Sequence, residues 1–206
     1  MADNKASLFW DKFITIKDRL MDIDSLSEDK AEELLLLLDG YLKDFSQGVD
    51  FILSDLTANG RDILLTANGD EEFFQDVIEL VQSAPVMDFW TVTAFLQPQG
   101  KNQSAEYEDT SLNSKDLYFI PMESDEQKDK IGLMIAGKNL QKNDEVLSCA
   151  YLLCEKMIGE YNATTLTGYF DVGNLPDNFE DEGYLPLDYL PDFIQWKIDS
   201  LNKTDK

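Results

Sequence analysis

Two helices are predicted at the start of the chain from the spacing of its apolar residues. Between about 6 and 21, apolar side chains recur every three or four positions, which places them on one face of a helix. That face consists of Phe9, Phe13, Ile16 and Leu20. A second helical stretch runs from about 27 to 45, and Ser27 is a residue type that commonly caps a helix N-terminus.

The middle of the chain makes one pattern twice. Residues 51–96 predict strand, tight turn, strand, helix and strand, and residues 117–172 repeat that order without repeating the side chains. Asn59-Gly60 is a strong hairpin signal, since both residue types tolerate positive φ. We therefore predict an α+β fold in which duplicated ββαβ units form a mainly antiparallel sheet covered by helices.

Other segments complete this expected fold as one domain over 1–206, with two N-terminal helices and a C-terminal helix. The stretch 89–96 is rich in β-branched and aromatic residues, so we expect a central strand with Trp90 as a core anchor. A short strand is expected near 105–107, inside the polar segment that joins the repeats. Apolar spacing over 187–201 predicts the short C-terminal helix.

The charge of the chain is strongly negative. Its 206 residues include 41 acidic and 17 basic ones, for a net charge of −24. Such a surface repels nucleic acid and anionic lipid and attracts basic proteins, although it also serves simply to keep a protein soluble. With no signal peptide and no apolar run long enough to span a membrane, we expect a cytoplasmic protein.

Histidine is absent from the chain. Its absence excludes Ser-His-Asp and Cys-His catalysis and most zinc sites. The glycine-rich phosphate-binding motifs and the GxSxG motif are missing as well. Carboxylate chemistry and a magnesium or calcium site stay open, but none of the many acidic pairs stands out. We therefore assign no catalytic residue, no metal site and no cofactor.

The two cysteines and three tryptophans are expected to be structural. Cys149 and Cys154 lie five residues apart on one predicted helix, too far apart around and along its axis for a disulfide. Buried free thiols are the simplest interpretation. Trp10, Trp90 and Trp196 lie in predicted helices or strands, which favours packing over a ligand groove.

An acidic stretch over 177–188 is the densest candidate for a partner-binding surface. It does not match an EF-hand loop, because Phe179 stands where an oxygen ligand is required. A merely solvated acidic loop is the alternative interpretation. The candidate partner-binding residues are Glu180, Asp181 and Glu182, with Tyr184 and Leu185 as apolar contacts.

Three stretches together resemble a family of uncharacterised bacterial proteins from Bacteroidetes and similar genomes. They are Phe9-Trp10 with Asp18-Arg19-Leu20, the segment 60–69, and Ala84-Pro85 followed by Trp90 to Phe95. In that family the last segment runs A-P-x-x-x-x-W-x-V-x-A-F, which residues 84–95 match. The resemblance covers most of the chain, but it implies no activity and no functional residues.

These observations favour a non-catalytic interaction protein that binds a basic partner. Some small acidic bacterial α+β proteins neutralise toxins, so an immunity-like or inhibitor-like role is the sharpest form of this hypothesis, by analogy alone. The alternatives are a small-molecule binding module with a cleft between the repeats, and a carboxylate-dependent hydrolase. The sequence predicts no oligomeric state.

Overall fold

Residues 2–122 and 129–204 are described by the computed structural model of this chain. The chain divides into two units, Met1–Phe95 and Leu96–Lys206. Each unit has its own cluster of buried apolar side chains. The single domain that the sequence predicts over 1–206 stays a prediction. No helix in the described ranges is long and apolar enough to cross a membrane.

The first unit begins with the two predicted helices, α1 (Ala2–Met21) and α2 (Glu28–Phe45). Every residue of the predicted stripe on α1 is buried, which confirms the orientation of that helix. Ser27 does stand at the N-cap of α2, but its side chain makes no capping hydrogen bond to a described residue. Its carbonyl oxygen instead accepts from the backbone N–H groups of Lys30 and Ala31.

An aromatic cluster lies under α1. Phe9, Trp10 and Phe13 pack on one another, and the Phe13 ring meets the Trp90 ring edge-on at 5.2 Å between centroids. Such edge-to-face contacts add to the stability that apolar burial provides. The Trp10 indole N–H also donates to the Leu80 carbonyl oxygen at 2.9 Å. The first core is therefore built around two of the three tryptophans.

The first unit contains one three-stranded sheet and a third helix. Its elements are β1 (Asp50–Leu53), β2 (Arg61–Thr66), α3 (Phe74–Gln82) and β3 (Trp90–Ala94). The sheet order is β1-β2-β3, with β1 antiparallel and β3 parallel to β2. The prediction that the 89–96 strand is central is therefore wrong, because β2 is the middle strand. A high content of β-branched residues indicates that a segment packs well as a strand, but it does not indicate whether that strand is central or at the edge of its sheet.

The turn before β2 is only partly of the predicted kind. Of Asn59 and Gly60, Gly60 alone has positive φ, at 110°. A Cβ there would lie 1.9 Å from the Phe89 carbonyl oxygen, which accepts a hydrogen bond from the Arg61 N–H. Gly60 is thus required by a close approach of two backbones.

The second unit starts with a small antiparallel hairpin, β4 (Ser104–Tyr107) and β5 (Thr110–Asn113). β4 confirms the short strand predicted near 105–107, while its partner β5 was not foreseen. The rest of the unit is a four-stranded sheet of order β8-β7-β6-β9 with three helices. These elements are β6 (Leu117–Met122), β7 (Ile131–Gly137), α4 (Asp144–Ile158), α5 (Glu160–Leu166), β8 (Thr167–Asn174), β9 (Leu185–Pro186) and α6 (Leu190–Thr204).

The α+β class is confirmed, with helices at both ends of the chain. The strands form three sheets, where the sequence predicts one. In each unit an antiparallel strand pair is followed by helix and by a strand parallel to the second. That the two ββαβ units superpose as duplicates stays a prediction.

Candidate functional site

The acidic turn, residues 177–183, is held in place by contacts on both sides. The Phe179 ring packs on the Tyr118 ring of β6 at 4.8 Å between centroids. The Tyr184 N–H donates to the Phe179 carbonyl oxygen at 3.0 Å, which closes the turn. Directly after it, Leu185 and Pro186 form β9 and pair with β6. The turn is therefore anchored to the edge of the four-stranded sheet.

The three predicted acidic residues of this turn point to solvent. Glu180, Asp181 and Glu182 are exposed, and none of their carboxylates forms a hydrogen bond or ion pair with a described residue. The backbone beneath them is ordered, because the N–H groups of Asp181 and Glu182 both donate to the Asn178 carbonyl oxygen, at 3.0 and 3.1 Å. The turn thus presents three carboxylates that have no partner among the described residues, on a backbone held by hydrogen bonds.

The two predicted apolar contacts differ in their exposure. The Leu185 side chain is 40% exposed and lies next to the acidic turn. Tyr184 is half-buried, and burial together with the nearby Glu182 carboxylate raises the pKa of its phenol. Leu185 is consequently the better placed of the two to contact a partner.

Asp188, at the end of the acidic stretch, has a structural role. Its carboxylate accepts hydrogen bonds from Ser114 Oγ at 2.7 Å and from the Asn102 N–H at 2.9 Å. Burial alone would raise the pKa of Asp188, but these two bonds and the charges of Lys115 and Lys101 hold it below its usual value. The stretch predicted as one surface therefore contains an exposed turn and, at its end, an aspartate whose carboxylate is used in hydrogen bonds within the unit.

The described residues contain no metal-binding cluster. Over 2–122 and 129–204, no group of three or more His, Cys, Asp or Glu side chains is arranged to hold a metal ion.

Both cysteines are buried and free, as the sequence predicts. The Cys149 sulfur lies 3.3 Å from the Ala105 carbonyl oxygen and 3.5 Å from that of Thr110, so its one S–H has two acceptors within reach. Burial raises the pKa of both thiols.

The prediction for the tryptophans is right for two of them. Trp10 and Trp90 are buried, whereas Trp196 is 58% exposed and is therefore not a core residue. On α6, the Phe193 ring contacts the Phe119 ring of the core at 5.7 Å between centroids, and the Trp196 ring packs against Phe193 at 5.5 Å.

A cleft in the second unit was not foreseen. It has a volume of about 500 Å³ and is lined by residues of β4, of the last turns of α4 and of the segment 96–99. That segment crosses the C-terminal end of α4, where the N–H groups of Gln99 and Gly100 donate to the carbonyl oxygens of Lys156 and Met157. Two orphan carbonyls of the helix end are satisfied in this way.

Two buried glutamates accompany this cleft. Glu155 lines it and is only 8% exposed, and burial, followed by the charge of Glu160, raises the pKa of its carboxyl to about 6. Glu160 is fully buried, and its Oε2 accepts from the Leu96 N–H at 3.1 Å. The signal in the sequence is an acidic residue on each side of the short segment 156–159, which is easily passed over among 41 acidic residues.

Comparisons with family models, with curated proteins and with solved structures find no match for this chain. The resemblance to an uncharacterised bacterial family stays a prediction. Function is therefore inferred from the geometry of the acidic turn and of the cleft.

Proposed function

We propose that this chain is a non-catalytic, cytoplasmic interaction protein that binds a basic protein through its acidic turn and β9. The observation that carries this proposal is the set of three exposed carboxylates, Glu180, Asp181 and Glu182, which have no described intramolecular partner. Carboxylates that stabilise their own fold are paired or hydrogen-bonded, as Asp188 is. Those of the acidic turn are left available for another molecule.

The net charge supports the same choice of partner. At −24, the chain attracts basic proteins over a distance and repels nucleic acid and anionic membranes. Exposed charges mainly raise the rate of association, whereas apolar groups that become buried hold the complex together. Leu185 supplies such an apolar group beside the charges.

The anchoring of the acidic turn favours a preformed binding surface. Because Phe179 is packed on Tyr118 and β9 is paired with β6, little conformational freedom is lost when a partner binds. An inhibitor-like or immunity-like role, in which this surface covers a basic site on its partner, is the specific form of the proposal.

The proposal is tested by capture of basic proteins from the native host. The full chain serves as bait at low salt and again at about 0.5 M salt, where the Debye length is about 4 Å. The E180Q/D181N/E182Q variant is compared with E32Q/E33Q/D55N, which removes the same charge from exposed residues of the first unit. We expect a basic protein to be enriched at low salt by the wild type and by the second variant, but to associate more slowly with the first.

The salt dependence of the association rate then decides between a binding surface and a solvated one. A flatter salt dependence for E180Q/D181N/E182Q alone supports the acidic turn as the binding surface. Equal effects of both triple variants would show that only the overall charge matters. The absence of any basic protein enriched at low salt would overturn the proposal.

A further inference from the structure

The cleft at the end of α4 has an acidic side chain in its wall for which the described residues supply no hydrogen-bond donor. Glu155 lines the cleft and is more than nine-tenths buried. Its carboxylate receives no hydrogen bond and no ion pair from any residue in the described ranges. Its oxygen atoms are not among the described polar atoms that are both shut off from solvent and unsatisfied, so they stay accessible from the cleft. Carboxyl groups perturbed in this way concentrate at binding sites.

The surroundings of Glu155 are negative. The charged residues that line the cleft are Glu106, Glu155 and Lys156. The Lys156 ammonium donates to the Ser104 carbonyl oxygen at 3.1 Å and keeps its charge, so one positive group stands against the carboxylates of Glu106 and Glu155. Behind Glu155 lies the fully buried Glu160, whose charge acts on it. A cation that enters the cleft is consequently favoured, and an anion is repelled.

The remaining lining is mixed: Gln97, Gln99 and Ser104 are polar, and three apolar side chains are available to contact a short alkyl chain. Leu152 is 38% exposed, and Leu96 and Ala105 are half-buried on the other sides. A bare divalent ion is a poor fit, because no group of three acidic, cysteine or histidine side chains is arranged around a metal in the described residues. One mostly buried carboxylate side chain beside three apolar side chains matches an organic cation better.

We propose that this cleft binds an alkylammonium group, with the ammonium at the Glu155 carboxylate and the alkyl chain against Leu152 and Ala105. Binding supplies the hydrogen-bond donors and the opposite charge that Glu155 lacks. The ligand is either a free small amine or a lysine side chain of another protein, which have the same chemistry. This proposal depends on the cleft alone and is independent of the acidic turn.

The test is a set of amide NMR titrations of the full chain. The probes are n-butylammonium, its neutral counterpart 1-butanol, lysine capped as N-acetyl-lysine N-methylamide, and the same compound acetylated on Nε. We expect one or both charged probes to shift the amides of 96–106 and 152–156, and neither neutral probe to do so. Binding by butylammonium alone identifies a small amine as the ligand, and tighter binding by capped lysine identifies a protein side chain.

Matched variants separate a built site from general attraction to a negative protein. Glu155→Gln keeps the shape of the side chain and should weaken binding of the charged probe about tenfold or more. E180Q/D181N/E182Q removes more charge elsewhere and should change the affinity less than about twofold, because that charge is exposed and screened. Leu152→Ala should weaken butylammonium more than methylammonium, which tests the apolar wall should Glu155→Gln fail to fold.

The pH dependence adds an independent measurement. The titratable groups around Glu155 are Glu160 of α5, Glu106 of β4 and, on α4, Tyr151 and Lys156. Since only the ionised carboxylate attracts a cation and the pKa of Glu155 is about 6, affinity should fall as the pH is lowered through that value. An exposed carboxylate keeps its charge down to about pH 4. Unchanged affinity in Glu155→Gln, or equal binding of 1-butanol, would overturn the proposal.

Discussion

Leu96 and Glu160 exchange two hydrogen bonds. The Leu96 N–H donates to Glu160 Oε2 at 3.1 Å, and the Glu160 N–H donates to the Leu96 carbonyl oxygen at 3.0 Å. This pair fixes the segment 96–99 against the end of α4, and so it forms one wall of the cleft. It also holds a carboxylate in the interior, where its charge acts on Glu155.

Glu155 should therefore make the protein less stable at neutral than at acidic pH. Its pKa rises from 4.5 to about 6 on folding, so the protonated acid favours the folded state. That contribution is complete below pH 4.5 and is lost as the pH rises through about 6. We expect Glu155→Gln to raise the free energy of unfolding at pH 7 by about 1–2 kcal/mol and to flatten its change between pH 4.5 and 7.

Denaturant unfolding at several pH values measures this difference. Glu182→Gln, which neutralises an exposed carboxyl of the acidic turn, is the matched control and should change stability little. A Glu155→Gln variant with the wild-type pH profile would show that Glu155 is well solvated.

Trp90→Ala should cost about 3–5 kcal/mol of stability, because it removes a large ring from the first core. The Trp90 ring packs edge-on against Phe13 and is buried. Trp196→Ala is the control, since that ring is mostly exposed, and its cost should stay below about 1 kcal/mol. Thermal midpoints of the two variants provide the comparison, and similar midpoints would contradict the role of Trp90 as a core anchor.

Both thiols should react slowly in the folded protein. Cys149 and Cys154 are buried, and burial raises the pKa of each thiol, which lowers the fraction of reactive thiolate. A disulfide reagent should modify them only at the rate at which the protein opens, and rapidly in denaturant. Cys154→Ala isolates the reaction of Cys149; fast labelling of that variant in its native state would contradict burial.

Asp188→Ala should destabilise the second unit by about 1–3 kcal/mol, because it leaves the Ser114 hydroxyl and the Asn102 N–H without their acceptor. Asp181→Ala, seven residues earlier on the exposed acidic turn, should stay within about 0.5 kcal/mol of the wild type. Chemical unfolding measures the stability of both variants. Equal stabilities would contradict the stabilising role of the Asp188 hydrogen bonds.

The helices and most strands could be predicted because their burial is periodic. The stripe of α1 repeats every three or four residues, and every member of it enters the core. The position of β3 at the edge of its sheet could not be predicted, since it depends on which strand pairs with β2 across the intervening helix. Likewise, nothing in the spacing of Trp196 reveals that α6 turns this ring away from the core.

Of the two candidate sites, the acidic turn could be predicted from the sequence and the cleft could not. An exposed acidic turn can be recognised from composition, because local charge density and turn residues lie in one stretch of sequence. The cleft requires residues of 96–99, β4 and α4, which are up to about sixty positions apart. Glu155 is distinguished from the exposed acidic residues by its burial in the wall of the cleft, which is a property of the folded chain.

Position 159, at the end of α4, requires glycine. It has φ of 83°, and a Cβ there would come within 2.8 Å of Pro98 Cδ and 3.0 Å of the Leu96 carbonyl oxygen. Any other residue would meet both an unfavourable backbone conformation and the segment that forms the wall of the cleft. In a library randomised at position 159 and selected for folded protein, glycine should be recovered almost exclusively. In a second library randomised at position 100, asparagine should be recovered as well, because a Cβ at Gly100 would meet open space.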